Sequence, residues 1–428
     1  MERLVNESMI QKLAEKINRA SREIDRWYEK KLSELPSAEP PIYGSVDIRN
    51  AGFKIAVVDT NLFPAGFNNL CETFSGEASR AFQKHLKKWH PAVRKILIFP
   101  EEHTRNLFYW KNIVSLKQIL EEAGYAVEVG SASSLFSQDP TTIEIEGKKE
   151  IQVHKVFVQD SKLRTSSFEP DLILINNDLS TGIPDYLKDL NQTLLPSPHL
   201  GWHRRRKGDH FRIGRELLAQ VAEIIQIDPW ILTPLTSDEI SCDLNDEICL
   251  KHFSDAADVF LAQIREKYRQ HGIQRAPYLF VKSSVGTYGL GVIHIESGDQ
   301  LLKLNRRMRK KLESGKGNRR VNEYILQEGI PTADLFRGKP LEPVVYLVGG
   351  ESVGTFFRIH EKKNEMESLN TPGMDFSCLC LHKVEPPKRN YQLTYENKDE
   401  LFQVAGLLGK IALLASLYEI SIVNKEIS

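Results

Sequence analysis

The segment Arg275–Glu296, RAPYLFVKSSVGTYGLGVIHIE, decides how the rest of the chain is read. It opens on an apolar run that closes with Lys282, crosses a loop carrying Gly286, Gly289 and Gly291, and returns to the run GVIHIE. Strand, short loop and strand make a hairpin. Glycines this close together let backbone N–H groups approach a ligand, because no Cβ stands in the way. With a lysine ending the outgoing strand, the pattern describes a lid over a polyphosphate. The order of parts separates it from two commoner phosphate loops. In a P-loop and in a dinucleotide fold the glycines lead into a helix. GVIHIE alternates too regularly, and is too β-branched, to begin one. Taken alone, the segment is equally a Gly-rich turn beside a solvated lysine.

Three later segments narrow the choice. Val321–Pro331, VNEYILQEGIP, is an apolar strand breaking into Gln327, Glu328 and Gly329. Backbone groups just past a strand end can pair with an adenine edge, and a nearby carboxylate can hold a ribose. Glu342–His360, EPVVYLVGGESVGTFFRIH, is two β runs joined by Gly349-Gly350, and the second run carries Arg358 among apolar residues. An arginine in that setting needs an anionic partner. Met366–Gly373, MESLNTPG, puts Glu367 and Asn370 on one loop. Two nearby oxygen ligands, with phosphates supplying others, are how Mg²⁺ is usually held.

In this order the segments resemble the ATP-grasp superfamily, in which a Lys-bearing strand and Gly-rich lid precede an adenine hinge, an arginine strand and a metal loop. The resemblance implies Lys282 on the ATP phosphates under a lid of Ser284, Gly286, Tyr288, Gly289 and Gly291. It implies Gln327, Glu328, Gly329 and Ile330 along the adenine, with either Glu328 or Asp334 at the ribose. Arg358 and Lys282 would act in catalysis, and Glu367 and Asn370 would ligate Mg²⁺. The first metal acid stays open among Glu342, Glu365 and Glu367, and a second ATP lysine among Lys251, Lys207 and others.

The whole chain is more narrowly similar to the proteobacterial glutamate–cysteine ligases of ATP-grasp type. That rests on Tyr43–Asn69, YGSVDIRNAGFKIAVVDTNLFPAGFNN, and Ser197–Phe211, SPHLGWHRRRKGDHF. It implies ATP-driven joining of the glutamate γ-carboxyl to the cysteine amine through an acylphosphate, the first step towards glutathione. Other ATP-grasp ligases, such as glutathione synthetase, and a non-catalytic nucleotide-binding protein are the rival readings. The expected fold is α/β: an ATP-grasp fold with an N-terminal parallel α/β domain and antiparallel ATP-binding hairpins. Residues 1–40 would be a helix and linker, 41–200 the substrate-side domain, and 201–428 the ATP-grasp domain, with its lid at 275–330.

The amino-acid substrates need their carboxylates and ammonium groups held. Asp47, Arg49 and Asn50 are candidates, as are Asp59, Asn61, Asn68 and Asn69 near a strand end. Arg204, Arg205 and Arg206 could clamp carboxylates through two nitrogens, or form a solvated basic loop. Asn177 and Asp178 end another strand and make a third group.

Composition limits the alternatives. The chain has 428 residues, 41% hydrophobic and 27% charged, which suits a globular protein of more than one core. Lys+Arg and Asp+Glu are both 57, so no bulk charge draws it to nucleic acid or an anionic membrane. Apolar stretches such as Val404–Leu417 read as too short to span a bilayer. The N-terminus is charged and amphipathic, unlike a secretory signal, so the expected location is the cytoplasm. The 5 cysteines suggest no disulfide framework. Cys242, Cys249, Cys378, Cys380, His199, His203 and His210 lack the spacing of a transition-metal site. Whether the chain forms a homo-oligomer is not legible.

Strand and helix patterns alternate from Lys54 to Ile175, as in a parallel sheet whose strand ends bind ligands. From Pro277 the pattern turns antiparallel.

Overall fold

The computed structural model describes residues 8–102, 106–136, 138–145, 149–285, 291–313, 322–336, 338–378 and 398–425. Gly286, Tyr288, Gly289 and Cys380 lie outside them.

The architecture is mixed α/β, built on three principal sheets. The central sheet is antiparallel and runs Asp375–Cys378, Glu351–Ile359, Lys339–Val348, Tyr43–Asn50, Ile55–Asn61. Its longest pair is closed by Gly349 and Gly350 at φ +57° and +80°. A two-residue type I′ turn holds both central residues left-handed, which is why glycine stands at each position. A second sheet, Thr193–Leu195, Leu172–Asn176, Lys95–Pro100, Ala126–Ser131, Lys149–Lys155, is parallel, with Thr141–Ile145 added antiparallel at its edge. All five residues of Leu172–Asn176 are buried, as an apolar strand covered on both faces should be. The third sheet, Ile240–Ser241, Glu323–Glu328, Leu279–Ser283, Val292–Ile295, is antiparallel and contains the hairpin expected around Lys282.

The central sheet crosses the boundary expected at residue 200. Tyr43–Asn50 pairs with Lys339–Val348 from Tyr43↔Val348 to Asp47↔Val344. The segment given to an N-terminal domain is therefore an interior strand among C-terminal ones. Its partners lie about three hundred residues away, so no local pattern could reveal the pairing.

Helices also shift. The N-terminal helix is two, Met9–Arg19 and Ser21–Ser33, the first opened by a reciprocal cap between Ser8 and Gln11. Lys207–Ile224 begins immediately after the basic run Arg204, Arg205 and Arg206. Lys398–Lys425 extends well beyond the apolar stretch Val404–Leu417 and is long and apolar enough to cross a membrane, yet 67% of its apolar window is buried. Leu401, Val404, Leu408, Ile411 and Leu414 pack with Val46, Ile48, Val345 and Phe357 under the central sheet. That burial accounts for the helix as a core element.

Candidate active site

One extra residue organises the site. Between Tyr43–Asn50 and Ile55–Asn61 the register runs Ile48↔Val57 and then Asp47↔Asp59, so Val58 is bulged out. Without the bulge, Asp59 and Asn61 would follow Ile55 and Val57 into the core; with it, they share a face with Asp47 and Ser45. The Val58 carbonyl is left off the ladder, and Lys282 Nζ donates to it at 2.8 Å.

That face forms one wall of a cavity of about 1890 Å³. Asp47, Asp59, Asn61, Asn68, Asn69, Asn177, Asp178, Arg358 and Asn370 all line it. Glu101 and Glu102, at the end of the parallel strand Lys95–Pro100, line its far side. The strand ends of the second sheet thus face the central sheet across one space. Lys282, Arg49 and Gln327 are not among its lining residues.

Arg358 sits on the central sheet opposite Glu342. Its NH1 donates to Asp47 Oδ2 at 2.8 Å and to Glu342, and its NH2 to Asp47 Oδ1 at 3.2 Å. Arg49 Nε reaches the other oxygen of Glu342 at 3.0 Å. Arg49 also donates to the carbonyls of Ile330, at 3.0 Å, and of Glu365 and Glu367. Burial pushes Glu342 up, but Arg49 and Arg358 on either side pull it below the usual carboxylate range. Asp47 goes the other way: burial raises it, and the charge of Glu342 adds to the rise against Arg358. Arg358 Nε is buried with no partner. A buried cation with a spare donor on a cavity wall is suited to an incoming anion.

A second cationic group lies beside it. Lys207 Nζ donates to Asp59 Oδ1 at 2.6 Å. Burial pushes Lys282 down to about 8, partly offset by Asp59. Burial also pushes Asp59 up, but Lys207 and Lys282 pull it below the usual range. Lys207 is one of the lysines left open for a second phosphate contact.

The strand Glu323–Glu328 sends its last two residues to opposite faces. Gln327 pairs with Phe280, so its side chain shares the face of Lys282. It is buried, and neither Oε1 nor Nε2 has a partner. Glu328 points the opposite way, into the core. Its Oε2 accepts from Lys54 Nζ at 2.8 Å, Trp230 Nε1 at 3.1 Å and the Leu235 N–H at 2.9 Å. Of the two ribose candidates, Glu328 is therefore committed to Lys54; Asp334 accepts from Asn50 Nδ2 at 3.1 Å. The Gly329 N–H bonds the Tyr278 carbonyl at 2.8 Å, and a Cβ on Gly329 would lie 2.1 Å from the Tyr278 ring. Ile330 is buried beside Ala51 and Ala56.

Other expected residues stand elsewhere. Arg205, expected to clamp a substrate carboxylate, instead holds Glu419 through Nε and NH2 at 2.8 and 3.2 Å. Arg204 does not line the cavity, although its NH1 is buried without a partner. Glu367 is drawn aside by Lys363 Nζ at 2.7 Å and the Asn364 N–H at 3.1 Å, leaving Asn370 alone of the metal pair on the cavity wall. Ser284 donates to Glu239, and the Gly291 carbonyl accepts from the Ser283 N–H at 2.8 Å. Sequence reasoning missed Lys54, Glu101, Glu102 and Tyr346. Lys54 alone carried a signal, as a lysine at the start of an apolar strand.

A family model described as glutamate–cysteine ligase matches residues 14–420. The chain is similar to the crystal structure, at 1.90 Å resolution, of a protein from Methylobacillus flagellatus KT assigned as a gamma-glutamylcysteine synthetase. The two are 34% identical, with a TM-score of 0.84 and 96% of each chain covered. D-alanyl-alanine synthetase A from Vibrio cholerae matches at 11% identity and a TM-score of 0.37, over 74% of this chain and 79% of its own, too low to carry weight. No curated protein matches.

Proposed function

The chain belongs to the glutamate–cysteine ligase family, and on that premise we propose how its cavity joins glutamate to cysteine. The reading is an ATP-grasp ligase in which the third sheet covers ATP and the cavity holds the two amino acids. A glutamate γ-carboxylate oxygen attacks the terminal phosphorus of ATP, and ADP leaves. The cysteine nitrogen then attacks the acyl carbon of the resulting acylphosphate, and phosphate leaves with a proton lost from the amine. Such chemistry needs positioning and charge neutralisation more than covalent help.

Arg358 receives the γ-carboxylate and the charge that develops on the transferred phosphoryl group. Its partnerless Nε, nine-tenths buried on the cavity wall, is the observation that carries the proposal. Lys282 and Lys207 meet the phosphates. Gln327 hydrogen-bonds the adenine edge through its buried, partnerless amide, within the hinge Gln327–Ile330. Asn370 and the carboxylates of Asp47 and Glu342 are suited to Mg²⁺, with Glu367 contributing if Lys363 releases it. Mg²⁺ would neutralise phosphate charge there. Asn61, Asn68 and Asn69 orient the substrates, and the acidic far side, with Glu101, Glu102 and Asp178, suits an α-ammonium. Such an ATP-consuming synthesis belongs in the cytoplasm.

Incubation with ATP, Mg²⁺ and glutamate in the presence of hydroxylamine traps an acylphosphate as the γ-hydroxamate. Replacing hydroxylamine with cysteine should give γ-glutamylcysteine and ADP in equal amounts. Cysteine-dependent product without any trappable acylphosphate would overturn the mechanism.

A further inference from the structure

Two histidines meet one carboxylate at a place that does not line the cavity. His85 lies in the last turns of the helix Glu72–Trp89, His90 caps that helix, and Glu39 comes from the Pro-rich linker after the N-terminal helices. His85 Nε2 and His90 Nε2 lie 3.0 and 2.8 Å from the same oxygen, Glu39 Oε1. The group is set in place from outside. Glycine at 349, in the tip of the long hairpin, leaves room for the imidazole: a Cβ there would stand 2.8 Å from His85 Nδ1. Lys84 and Glu351 pair beside it. The His85 side chain is 3% exposed, while Glu39 and His90 are each 17% exposed and open the group to solvent.

We propose that Glu39, His85 and His90 form a binding site for a zinc-class divalent cation. Two imidazole nitrogens and a carboxylate oxygen are a zinc donor set, whereas Mg²⁺ asks for oxygen ligands alone. Tetrahedral zinc, with bonds of about 2.0–2.1 Å, separates neighbouring donors by about 3.3 Å. The two nitrogen-to-oxygen spacings, 3.0 and 2.8 Å, need to open by only a few tenths of an ångström, and all three donor atoms already lie within 4.8 Å of one another. Each ring nitrogen gives up the hydrogen it offers Glu39 and presents its lone pair to the ion, with water as the fourth ligand. The bound ion would fasten the linker to the helix and so anchor the N-terminal helices to the body.

Chelator-treated full-length protein is titrated with ZnCl2 against a chromophoric zinc chelator in excess Mg²⁺. One zinc should bind, and His90→Ala or Glu39→Gln should weaken it by about 100-fold or more, at least the loss that follows from disturbing a ligand's support. Co²⁺ should give the visible bands of a four-coordinate site in the parent protein and lose them in His90→Ala. If His90→Ala does not fold, His90→Gln keeps a donor for Glu39 and offers no imidazole. Failure to compete with the chelator, or equal zinc binding by the variants, overturns the site.

Discussion

Arg358 and Arg205 are both buried, both hold a carboxylate through two nitrogens, and both lie against strands of the central sheet. Their surroundings differ in one respect. Arg205 is closed on every side: Glu419 takes Nε and NH2, the Thr60 carbonyl takes NH1 at 3.4 Å, and His210 spans Glu419 at 2.5 Å and Thr60 Oγ1 at 2.9 Å. Arg358 keeps Nε unpartnered and lines the cavity. Burial beside an acid therefore does not mark a catalytic arginine. Under the proposed function, what sets Arg358 apart is a donor left over on a residue that lines the cavity.

The largest expected effect is at Arg358. Arg358→Lys keeps a charge for Asp47 and Glu342 but loses the planar fork, and kcat should fall by about 10²–10³-fold. A loss under tenfold, measured by coupled ADP release, would break the contrast. Arg205→Ala should do the reverse, costing about 3–5 kcal/mol of stability by stranding Glu419, with kcat and KM of the folded enzyme kept. Burial pushes Glu419 up, yet Arg205 and His210 bring it down to about 2. The folded protein thus binds this proton less readily than the unfolded chain. Its stabilisation is complete at neutral pH, declines below the ordinary carboxylate range and is gone below about 2. Denaturant midpoints from neutral to acid pH should fall less steeply in Arg205→Ala than in the parent.

Lys282 sharpens the comparison from the cationic side. With its ammonium held down to about 8, the charge is present below that pH and lost above it. kcat/KM for ATP, which reports the free enzyme, should decline through pH 8 on the alkaline side, and Lys282→Met should remove that limb. The smallest effect belongs to Gln327→Leu. Losing one neutral amide contact, worth about 1–1.5 kcal/mol, should raise KM for ATP about five- to tenfold and leave kcat nearly unchanged.

Much of the site was legible because its signals are local. The Lys282 strand, the paired glycines at 349 and 350, and the arginine between Phe357 and Ile359 each follow from a few neighbouring residues. The rest depends on where distant segments meet. Arg205 reads as a carboxylate clamp or a solvated loop residue until Glu419, some two hundred residues away, is brought beside it. Glu328 looked like a hinge carboxylate until Lys54 claimed it from the opposite end of the chain. The faces of Asp59 and Asn61 turn on a bulge that strict alternation could not locate. Glu39 and His85 form no spaced motif at all, since packing of the linker creates their cluster.

The interior position of Tyr43–Asn50 also bears on how the chain is made. During synthesis this strand and Ile55–Asn61 emerge early, whereas Lys339–Val348 and Glu351–Ile359 emerge late. Until then one edge of Tyr43–Asn50 has no partner for its backbone groups, and the apolar side chains Val46 and Ile48 lack the helix Lys398–Lys425 that covers them. The parallel sheet between can assemble first, but the central sheet closes only after Glu351–Ile359 has been made. Pairings that span most of a chain are slow to form and expose strand edges meanwhile. For this protein the interval between ribosome exit and sheet closure is the period of greatest exposure to misassembly.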